Sequence, residues 1–302
     1  MAAATASPSL LGEALTRIAA DVDAGFDALL PVPDDGRARL FQAMRHATIG
    51  GGKRLRPLLL VAVAELHGVG RETALRAALA IEAVHAFSLV HDDLPCMDDD
   101  AMRHGKPSTH KAFDEATAVL AGDGLMAFAF EILTDPDFFT DPFVRAELVR
   151  SLALASGPSG MTGGQMMDIA GEGQDLDLHS ITRLQQLKTG ALLGAAVEMG
   201  AILGRLPPEG RRHLRAYAHD IGLAFQISDD LLDHEGEEAA AGKALRKDAA
   251  AGKQTFVARL GADRAREQAR ALVDQAIAHL AQHGQEADLL RDLARYIVER
   301  DH

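Results

Sequence analysis

Residues 74–90 read ALRAALAIEAVHAFSLV, and one residue later residues 92–100 read DDLPCMDDD. The first stretch is apolar almost all round and rich in alanine, which is typical of a helix buried on every side. Several carboxylates beside a hydrophobic core are unfavourable unless a cation lies between them. This junction therefore predicts a central helix that carries acidic side chains to a cation site at its end.

The geometry of this acidic cluster depends on Pro95. Asp92 and Asp98 are six residues apart, which places them about 240° apart around an ideal helix at 100° per residue. Proline disfavours helical geometry at the preceding residue and removes a backbone donor, so we expect the helix to end or kink at Leu94. The chain can then fold back and bring Asp98 towards Asp92.

A second acidic cluster, FQISDDLLD at residues 225–233, follows another helix-patterned stretch. Asp229 and Asp233 are four residues apart, so they share one helix face, and Gln226 and Asp230 extend that polar stripe. One such cluster alone could be solvated charges at a helix end. Two clusters behind apolar helices favour Mg²⁺, which binds a few carboxylates together with water and phosphate oxygens. The implied substrate is a diphosphate.

Basic residues lie where a diphosphate would need them. Lys53 and Arg56, within GGKRLRP at residues 51–57, are three positions apart at the start of a helical stretch, where the helix N-terminus also favours anions. Read alone, this string is more often a helix start with solvated charges. The weaker basic candidates, which count only collectively, are Arg103, Lys188, Lys243 and Lys253.

Helical periodicity dominates the rest of the chain. Apolar residues recur every three or four positions over residues 11–29 and 289–297, which predicts amphipathic surface helices, and residues 191–203 resemble a second buried helix. The sequence shows no sustained two-residue alternation and no Asn-Gly or Asp-Gly hairpin between apolar runs, so we expect an all-α fold.

Composition narrows the setting of the protein. The 302 residues carry 31 basic and 44 acidic side chains, a net charge of −13, which argues against a nucleic-acid partner because that would need an extended basic face. The run at 191–203 is shorter than the roughly 20 residues that span a bilayer and contains Glu198, so we expect no stable membrane insertion. The single cysteine, Cys96, and the absence of a basic, apolar leader at residues 1–11 predict a soluble protein of the reducing cytoplasm.

These segments resemble one family, the trans-isoprenyl diphosphate synthases, and within it the short-chain bacterial farnesyl or geranyl diphosphate synthases. The likeness runs from about residue 35 to the C-terminus in the family's order. Five segments carry it: GKRLRP (52–57), HAFSLVHDDLPCMDDD (85–100), GGQMMD (163–168), KTGA (188–191) and FQISDDLLD (225–233). The resemblance implies the isoprenoid synthase fold, a single bundle of antiparallel helices around a central cavity, as one domain over residues 1–302 and as a homodimer.

The resemblance also implies residue roles. Mg²⁺, as three ions with substrate bound and replaceable by Mn²⁺, would be held on an allylic diphosphate by Asp92, Asp93, Asp98, Asp229 and Asp233. Arg103, Lys188, Lys243 and Lys253 would contact diphosphate, Lys53, Arg56 and His85 would bind isopentenyl diphosphate, and Gln165, Thr189 and Gln226 would line the reaction centre. In the family the allylic C–O bond ionises and isopentenyl diphosphate attacks the carbocation.

Product length is predicted from the residues just before Asp92. Ser88 lies one helical turn, about 5.4 Å, before it, a distance comparable with one isoprene unit. Phe87 is bulky. An aromatic residue followed by serine, together with the Pro-Cys pair inside the acidic cluster, resembles the farnesyl (C15) synthases. Geranylgeranyl (C20) synthases share the pair but often carry a smaller residue in place of Phe87, so C20 stays open as the alternative.

Two positions depart from the family pattern. His104 stands where the family usually has a second arginine that would bind isopentenyl diphosphate, and Arg246 stands where many relatives have glycine. Histidine is shorter and largely neutral near pH 7, which predicts weaker isopentenyl diphosphate binding.

Three other kinds of protein would carry a different sequence pattern. A non-catalytic subunit of a prenyl synthase would have lost an acidic cluster, but both are intact. A calcium-binding protein would need an Asp-x-Asp-x-Asp-Gly loop, which the sequence lacks. A terpene cyclase would lack the Lys53 and Arg56 pocket for a second diphosphate.

Overall fold

The structure is a computed structural model that describes residues 9–235 and 255–299, and over those ranges it is helical apart from one small hairpin. The all-α prediction is confirmed. The helices are α1 (Leu10–Leu29), α2 (Ala38–Thr48), α3 (Leu55–Leu66), α4 (Arg71–Asp92), α5 (Thr109–Ala112), α6 (Glu115–Thr134), α7 (Pro142–Ser156), α8 (Met161–Gly171), α9 (Leu178–Gln185), α10 (Ala191–Leu203), α11 (Arg212–Glu235), α12 (Phe256–Leu260), α13 (Ala262–His279) and α14 (Asp288–Glu299). A π-helical turn, Gln186–Gly190, joins α9 to α10, and a 3₁₀ turn, Gln285–Ala287, precedes α14.

Three helices form the middle of the bundle. Helix α4 packs against α3, α6 and α10, and α10 packs against α3, α7 and α11. The apolar residues of α3, α4 and α10 are buried on several sides, as their sequences require. The predicted central helices at residues 74–90 and 191–203 are therefore confirmed.

The two ends of the described chain form amphipathic helices, as predicted. Ile18, Val22 and Phe26 of α1 are fully buried, while Leu293 and Ile297 of α14 turn towards the core. Ser9 caps α1, because its hydroxyl accepts a hydrogen bond from the Gly12 amide at 3.1 Å. Both helices close over α3, so they cover the central layer.

A buried ion cluster joins α1, α3 and α4. Arg54 precedes α3 in the left-handed conformation (φ 52°), and its side chain is only 4% exposed. Its guanidinium donates to Glu82 at 2.7 Å and to Asp23 at 2.9 Å, and also to the Thr48 carbonyl. Because buried charges are stable only when paired, this cluster fixes the glycine loop that precedes α3.

A short hairpin follows the first acidic cluster. Strands β1 (Met102–Arg103) and β2 (Lys106–Pro107) pair antiparallel, and the two turn residues, His104 and Gly105, have φ values of 51° and 75°. Positive φ at both central positions is the pattern of a type I′ hairpin turn. We expected no hairpin because no Asn-Gly or Asp-Gly pair lies between two apolar runs, but histidine also tolerates this backbone region.

Helices α4 and α6 are long and apolar enough, by length and composition, to cross a membrane. They pack against each other inside the bundle, and most of the apolar window of α4 is buried. The hydrophobicity of α4 therefore has a packing explanation.

Candidate active site

The first acidic cluster reverses the chain at the end of α4. The Met97 amide donates to the Leu94 carbonyl at 2.9 Å, and the Asp98 amide donates to the Asp92 carbonyl at the same distance. Helix α4 ends at Asp92, three residues before Pro95. The predicted helix end and the return of residue 98 towards residue 92 are both confirmed.

The carboxylates of this turn have different surroundings. Asp92 is half-buried, and burial, together with the negative charges of Asp98 and Asp93, raises its pKa to about 6 against the opposing effect of Lys188. Asp93 is 1% exposed and accepts two hydrogen bonds from Arg103, at 3.0 and 2.5 Å. Burial raises the pKa of Asp93 as well, while Arg103 lowers it. Asp93 is therefore paired with a protein cation, and Asp92 lies where a further cation would be stabilising.

The second acidic cluster lies in the C-terminal part of α11. Asp230 is buried and accepts hydrogen bonds from Gln226 Nε2 at 3.0 Å and from the Phe256 amide at 2.8 Å. Gln226 Oε1 accepts from Thr189 Oγ1 at 3.1 Å. Asp229 is close enough to Arg56 to raise the pKa of that guanidinium, which burial lowers. The cluster is thus connected both to the π-helical turn and to the basic residues of α3.

The π-helical turn presents Lys188 and Thr189. Lys188 Nζ donates to Asp168 Oδ2 of α8 at 2.5 Å. The backbone of the turn lies directly on Gly164, where an added Cβ would come within 2.2 Å of the Lys188 nitrogen. Only glycine allows this approach, which explains the second glycine of GGQMMD. π-Helical turns inside helices are frequent at functional sites.

The predicted isopentenyl diphosphate pocket brings Arg56 and His85 together. Arg56 Nη1 lies 3.2 Å from His85 Nε2, and Arg56 Nε is buried without a hydrogen-bond partner. Burial and the charge of Arg56 hold the pKa of His85 well below its ordinary value, so the ring is neutral and accepts from the guanidinium. Lys53 lies 5.7 Å from the Tyr296 ring of α14. A buried donor that lacks an acceptor is the group an incoming diphosphate oxygen would satisfy.

A cavity of about 530 Å³ lies beneath these groups. Many predicted site residues line it: Arg56, His85, Phe87, Ser88, Asp92, Gln165, Lys188 and Thr189. Its apolar wall includes Leu89, Leu94, Met97, Val119, Met161 and Ile169. Arg103 and His104 instead line a second cavity of about 30 Å³ beside Gly51. Lys243, Arg246 and Lys253 lie outside the described residues.

The departure from the family at His104 has a defined environment. Although the residue as a whole is exposed, its ring packs on the glycine loop, 3.3 and 3.2 Å from the positions of added Cβ atoms on Gly51 and Gly52. Partial desolvation and the positive charges of Arg103, Arg54 and Lys106 lower the pKa of His104 to about 4. The ring is therefore neutral near pH 7, as predicted.

His91, although adjacent to Asp92, is tied to α6. His91 Nε2 lies 3.0 Å from the Val119 carbonyl, and its ring occupies the space that a side chain at Gly122 would fill. Its ring also meets Phe87 edge-on at 5.0 Å between centroids. These contacts favour a structural role over the orientation of a carboxylate.

The donor set fits Mg²⁺ in type. Among residues 9–235 and 255–299, no three acidic, histidine or cysteine side chains converge as a preformed metal cage. Mg²⁺ needs no such cage, because it retains waters and takes phosphate oxygens beside one or two carboxylates. The raised pKa of Asp92 agrees with this, since a nearby cation would offset the burial and the neighbouring negative charges that raise it.

Comparison with known proteins agrees with this geometry. A model of the family "Polyprenyl synthetase" matches residues 37–296. The chain belongs to the polyprenyl synthetase family. Its relatives include the farnesyl diphosphate synthase of Escherichia coli, 44% identical over 270 residues that cover 86% of this chain and 89% of that protein.

Solved structures resemble this polyprenyl synthetase over nearly its whole length. An apo crystal structure of an FPP/GFPP synthase from Zymomonas mobilis is 56% identical, covers 95% of this chain and 98% of that one, and has a TM-score of 0.88. A geranyltransferase from Helicobacter pylori, complexed with magnesium and isoprenyl diphosphate, is 31% identical with a TM-score of 0.80 and covers 98% of each chain. The isoprenoid synthase fold predicted from the sequence is therefore confirmed.

Several polar residues of this polyprenyl synthetase were not among the predicted site residues. Two of them accept hydrogen bonds from predicted site residues, Asp168 from Lys188 and Asp230 from Gln226. The third, Glu82, accepts from Arg54, the neighbour of Lys53 in the chain. Asp168 and Asp230 lie inside the quoted segments, so the signal was present for them. Glu82 gave none, because a lone acid in an apolar helix does not reveal its partner.

Proposed function

We propose that this polyprenyl synthetase condenses isopentenyl diphosphate with allylic diphosphates, dimethylallyl and geranyl, to make farnesyl diphosphate and release diphosphate. One observation carries the proposal: a single cavity of about 530 Å³ has Asp92, Lys188 and Arg56 among its lining residues and an apolar wall below them. A carboxylate that could hold a metal ion, basic side chains and a dry channel are what an ionising allylic diphosphate requires. The similarity to the Escherichia coli farnesyl diphosphate synthase supports the same reaction.

The basic residues would hold the two diphosphates. Lys188 and Arg103, with Lys243 and Lys253, would bind the allylic group through charge-assisted hydrogen bonds. Lys53, Arg56 and His85 would hold isopentenyl diphosphate, and Arg56 has a buried donor in place for it. Mg²⁺, as three ions that Mn²⁺ can replace, would be held by Asp92, Asp93, Asp98, Asp229 and Asp233 and would stabilise negative charge on the departing diphosphate.

Positioning replaces a protein nucleophile in this mechanism. Thr189, Gln226 and Gln165 would line the reaction centre, where the double bond of isopentenyl diphosphate meets the allylic cation. The apolar wall of the cavity excludes water, which would otherwise capture the cation. The proton is finally lost to the released diphosphate.

Phe87 supports a C15 product. It lines the cavity together with Ser88, and its ring is fixed against His91. Geranylgeranyl diphosphate is the alternative product. Because the structural relative from Zymomonas mobilis is an FPP/GFPP synthase, the chain length of the product should be measured directly. We expect Phe87→Ala to lengthen the product by opening the cavity, whereas unchanged C15 output from that variant would remove Phe87 from the determinants of length.

We further propose that residues 1–302 form one isoprenyl diphosphate synthase domain that acts as a cytoplasmic homodimer without a nucleic-acid partner or stable membrane insertion. Exposed apolar side chains on α6 and α7, among them Leu120 (57% exposed) and Leu154 (51%), support an interface. The net charge of −13 supports the exclusion of nucleic acid.

The test is incubation with isopentenyl diphosphate and dimethylallyl or geranyl diphosphate in Mg²⁺, followed by chromatography of the products. We expect farnesyl diphosphate, and no product when EDTA removes the metal. Asp92→Asn and Asp229→Asn should each abolish most of the turnover. Inactivity of the wild type with every primer would favour the alternative of a non-catalytic prenyl synthase subunit.

A further inference from the structure

Helix α11 contacts the π-helical turn at three points along one stripe. His219 Nε2 lies 2.9 Å from Gln186 Nε2, and Thr189 Oγ1 donates to Gln226 Oε1 at 3.1 Å. Between them Gly222 lies against the turn, because a Cβ there would come within 3.3 Å of the Gly190 Cα. Residues 219, 222 and 226 are three and four apart, so they share one helix face. That face contacts the turn at its first residue, Gln186, and at its last two, Thr189 and Gly190.

His219 is itself held by a buried acid. Its Nδ1 lies 3.2 Å from Asp220 Oδ1, and the Asp220 side chain is only 11% exposed. The other oxygen of Asp220 lies 3.3 Å from His279 Nε2 of α13. A carboxylate oxygen accepts, so a proton on Nδ1 would be donated to Asp220 while Nε2 accepts from the Gln186 amide. Asp220 thereby holds the ring in the orientation in which Nε2 meets the turn.

This contact matters because a π-helical turn is intrinsically rare and needs support from its surroundings. Gln186 begins the turn, and two and three residues later Lys188 and Thr189 line the cavity. A shift at Gln186 would rotate both side chains. Asp168 and Gly164 fix the opposite side of the turn, towards α8.

We propose that His219, oriented by Asp220, is a positioning residue that fixes the π-helical turn and, through it, Lys188 and Thr189. This role rests on the proposed function for its effect on turnover, but its effect on the turn itself does not. The side chain lies outside the cavity, so its influence acts through Gln186 alone. The Arg56 pocket, which α3 and α4 build at another wall of the same cavity, should not be affected.

Two measurements on the full-length protein test the proposal. The first is hydrogen exchange of the backbone amides of residues 186–190 without ligand, which is independent of activity. We expect faster exchange in His219→Ala and wild-type exchange in His213→Ala, a control on the same helix whose ring faces His279. Wild-type exchange of the turn in His219→Ala overturns the proposal.

The second measurement is steady-state kinetics of the same variants. We expect His219→Ala to lower kcat about fivefold, the scale of one hydrogen bond, with the KM for isopentenyl diphosphate unchanged. His219→Gln should restore most of kcat, since its amide can donate to Asp220 and accept from Gln186. An equal loss in His213→Ala, or a rise in the KM for isopentenyl diphosphate without a change in kcat, contradicts the role. An inactive wild type overturns the proposed function only, because the exchange result still decides the contact.

Discussion

Lys188 Nζ and Asp168 Oδ2 lie 2.5 Å apart, and this pair joins the π-helical turn to α8 at the rim of the cavity. The carboxylate sets the position of an ammonium group that also acts on Asp92. We expect Asp168→Asn to lower kcat/KM for the allylic substrate about 10- to 100-fold, because a charge-assisted hydrogen bond contributes roughly 1.5–3 kcal/mol. Steady-state kinetics check this. Glu172→Gln, an exposed acid just after α8, is the control, and equal effects in both variants would argue against the pair.

His104→Arg tests the departure from the family pattern. The guanidinium would lie beside Gly51 and Gly52, next to the Lys53 region, so we expect the KM for isopentenyl diphosphate to fall severalfold while the KM for the allylic substrate stays constant. The added charge would face Arg103, Arg54 and Lys106, so the unliganded variant should melt at a lower temperature. An unchanged KM would refute the predicted role of this position.

The same residue predicts a pH dependence of stability. The pKa of His104 is about 4 in the folded protein, below the ordinary value of 6.5. Between these two pH values the unfolded chain therefore binds a proton at this residue and the folded protein does not. Its contribution to the free energy of unfolding is complete above pH 6.5 and is lost as pH falls towards 4. Urea unfolding at several pH values should show a shallower acid loss for His104→Gln than for the wild type. Parallel curves would remove His104 from the acid sensitivity.

Two helical glycines give a matched stability test. A Cβ at Gly164 would come within 2.2 Å of the Lys188 backbone, whereas one at Gly194 of α10 meets nothing within 4 Å. We expect Gly164→Ala to lower the free energy of unfolding by about 1–3 kcal/mol or more, through overpacking. Gly194→Ala should be neutral or stabilising by up to about 1 kcal/mol, because alanine favours helix. Denaturant titration of both variants measures the difference, and similar values would contradict the close contact.

The buried pair Arg54–Glu82 predicts strong coupling. Removing one partner alone, as in Arg54→Met or Glu82→Leu, should cost about 3–5 kcal/mol because the other charge stays buried. The double variant should be more stable than the sum of the two losses predicts, and a double-mutant cycle measures that term. The exposed pair of Arg37 and Asp35 serves as a control, for which Arg37→Met should change little. Additive losses at Arg54 and Glu82 would mean that the two side chains act independently.

The sequence predicted features that depend on neighbours along the chain. Pro95 indicated where α4 ends, and the apolar runs indicated which helices are central, since both follow from local backbone and burial rules. Lys53 and Arg56 were favoured over Arg54 by their three-residue spacing at a helix start and by the family resemblance. The structure shows why Arg54 differs from both: its guanidinium is paired with Asp23 and Glu82, which lie 31 and 28 residues away in the chain.

Features that depend on distant contacts were not predictable. Nothing in residues 186–190 signals a π-helical turn, which is held by Gly164 and by the stripe on α11. The hairpin at His104 was missed because its turn lacks the usual asparagine or aspartate. The different surroundings of Asp229 and Asp230 also depend on a distant residue, because the Phe256 amide donates a hydrogen bond to the Asp230 carboxylate.

The hydrogen bond from the Phe256 amide to Asp230 spans 26 positions in the chain. It fixes the start of α12 against the second acidic cluster of α11. The entropy lost in bringing two positions together grows only slowly with their separation along the chain, so insertions or deletions between positions 230 and 256 should change the free energy of unfolding little. The position of Asp229 should therefore tolerate changes in the length of the chain that follows the cluster.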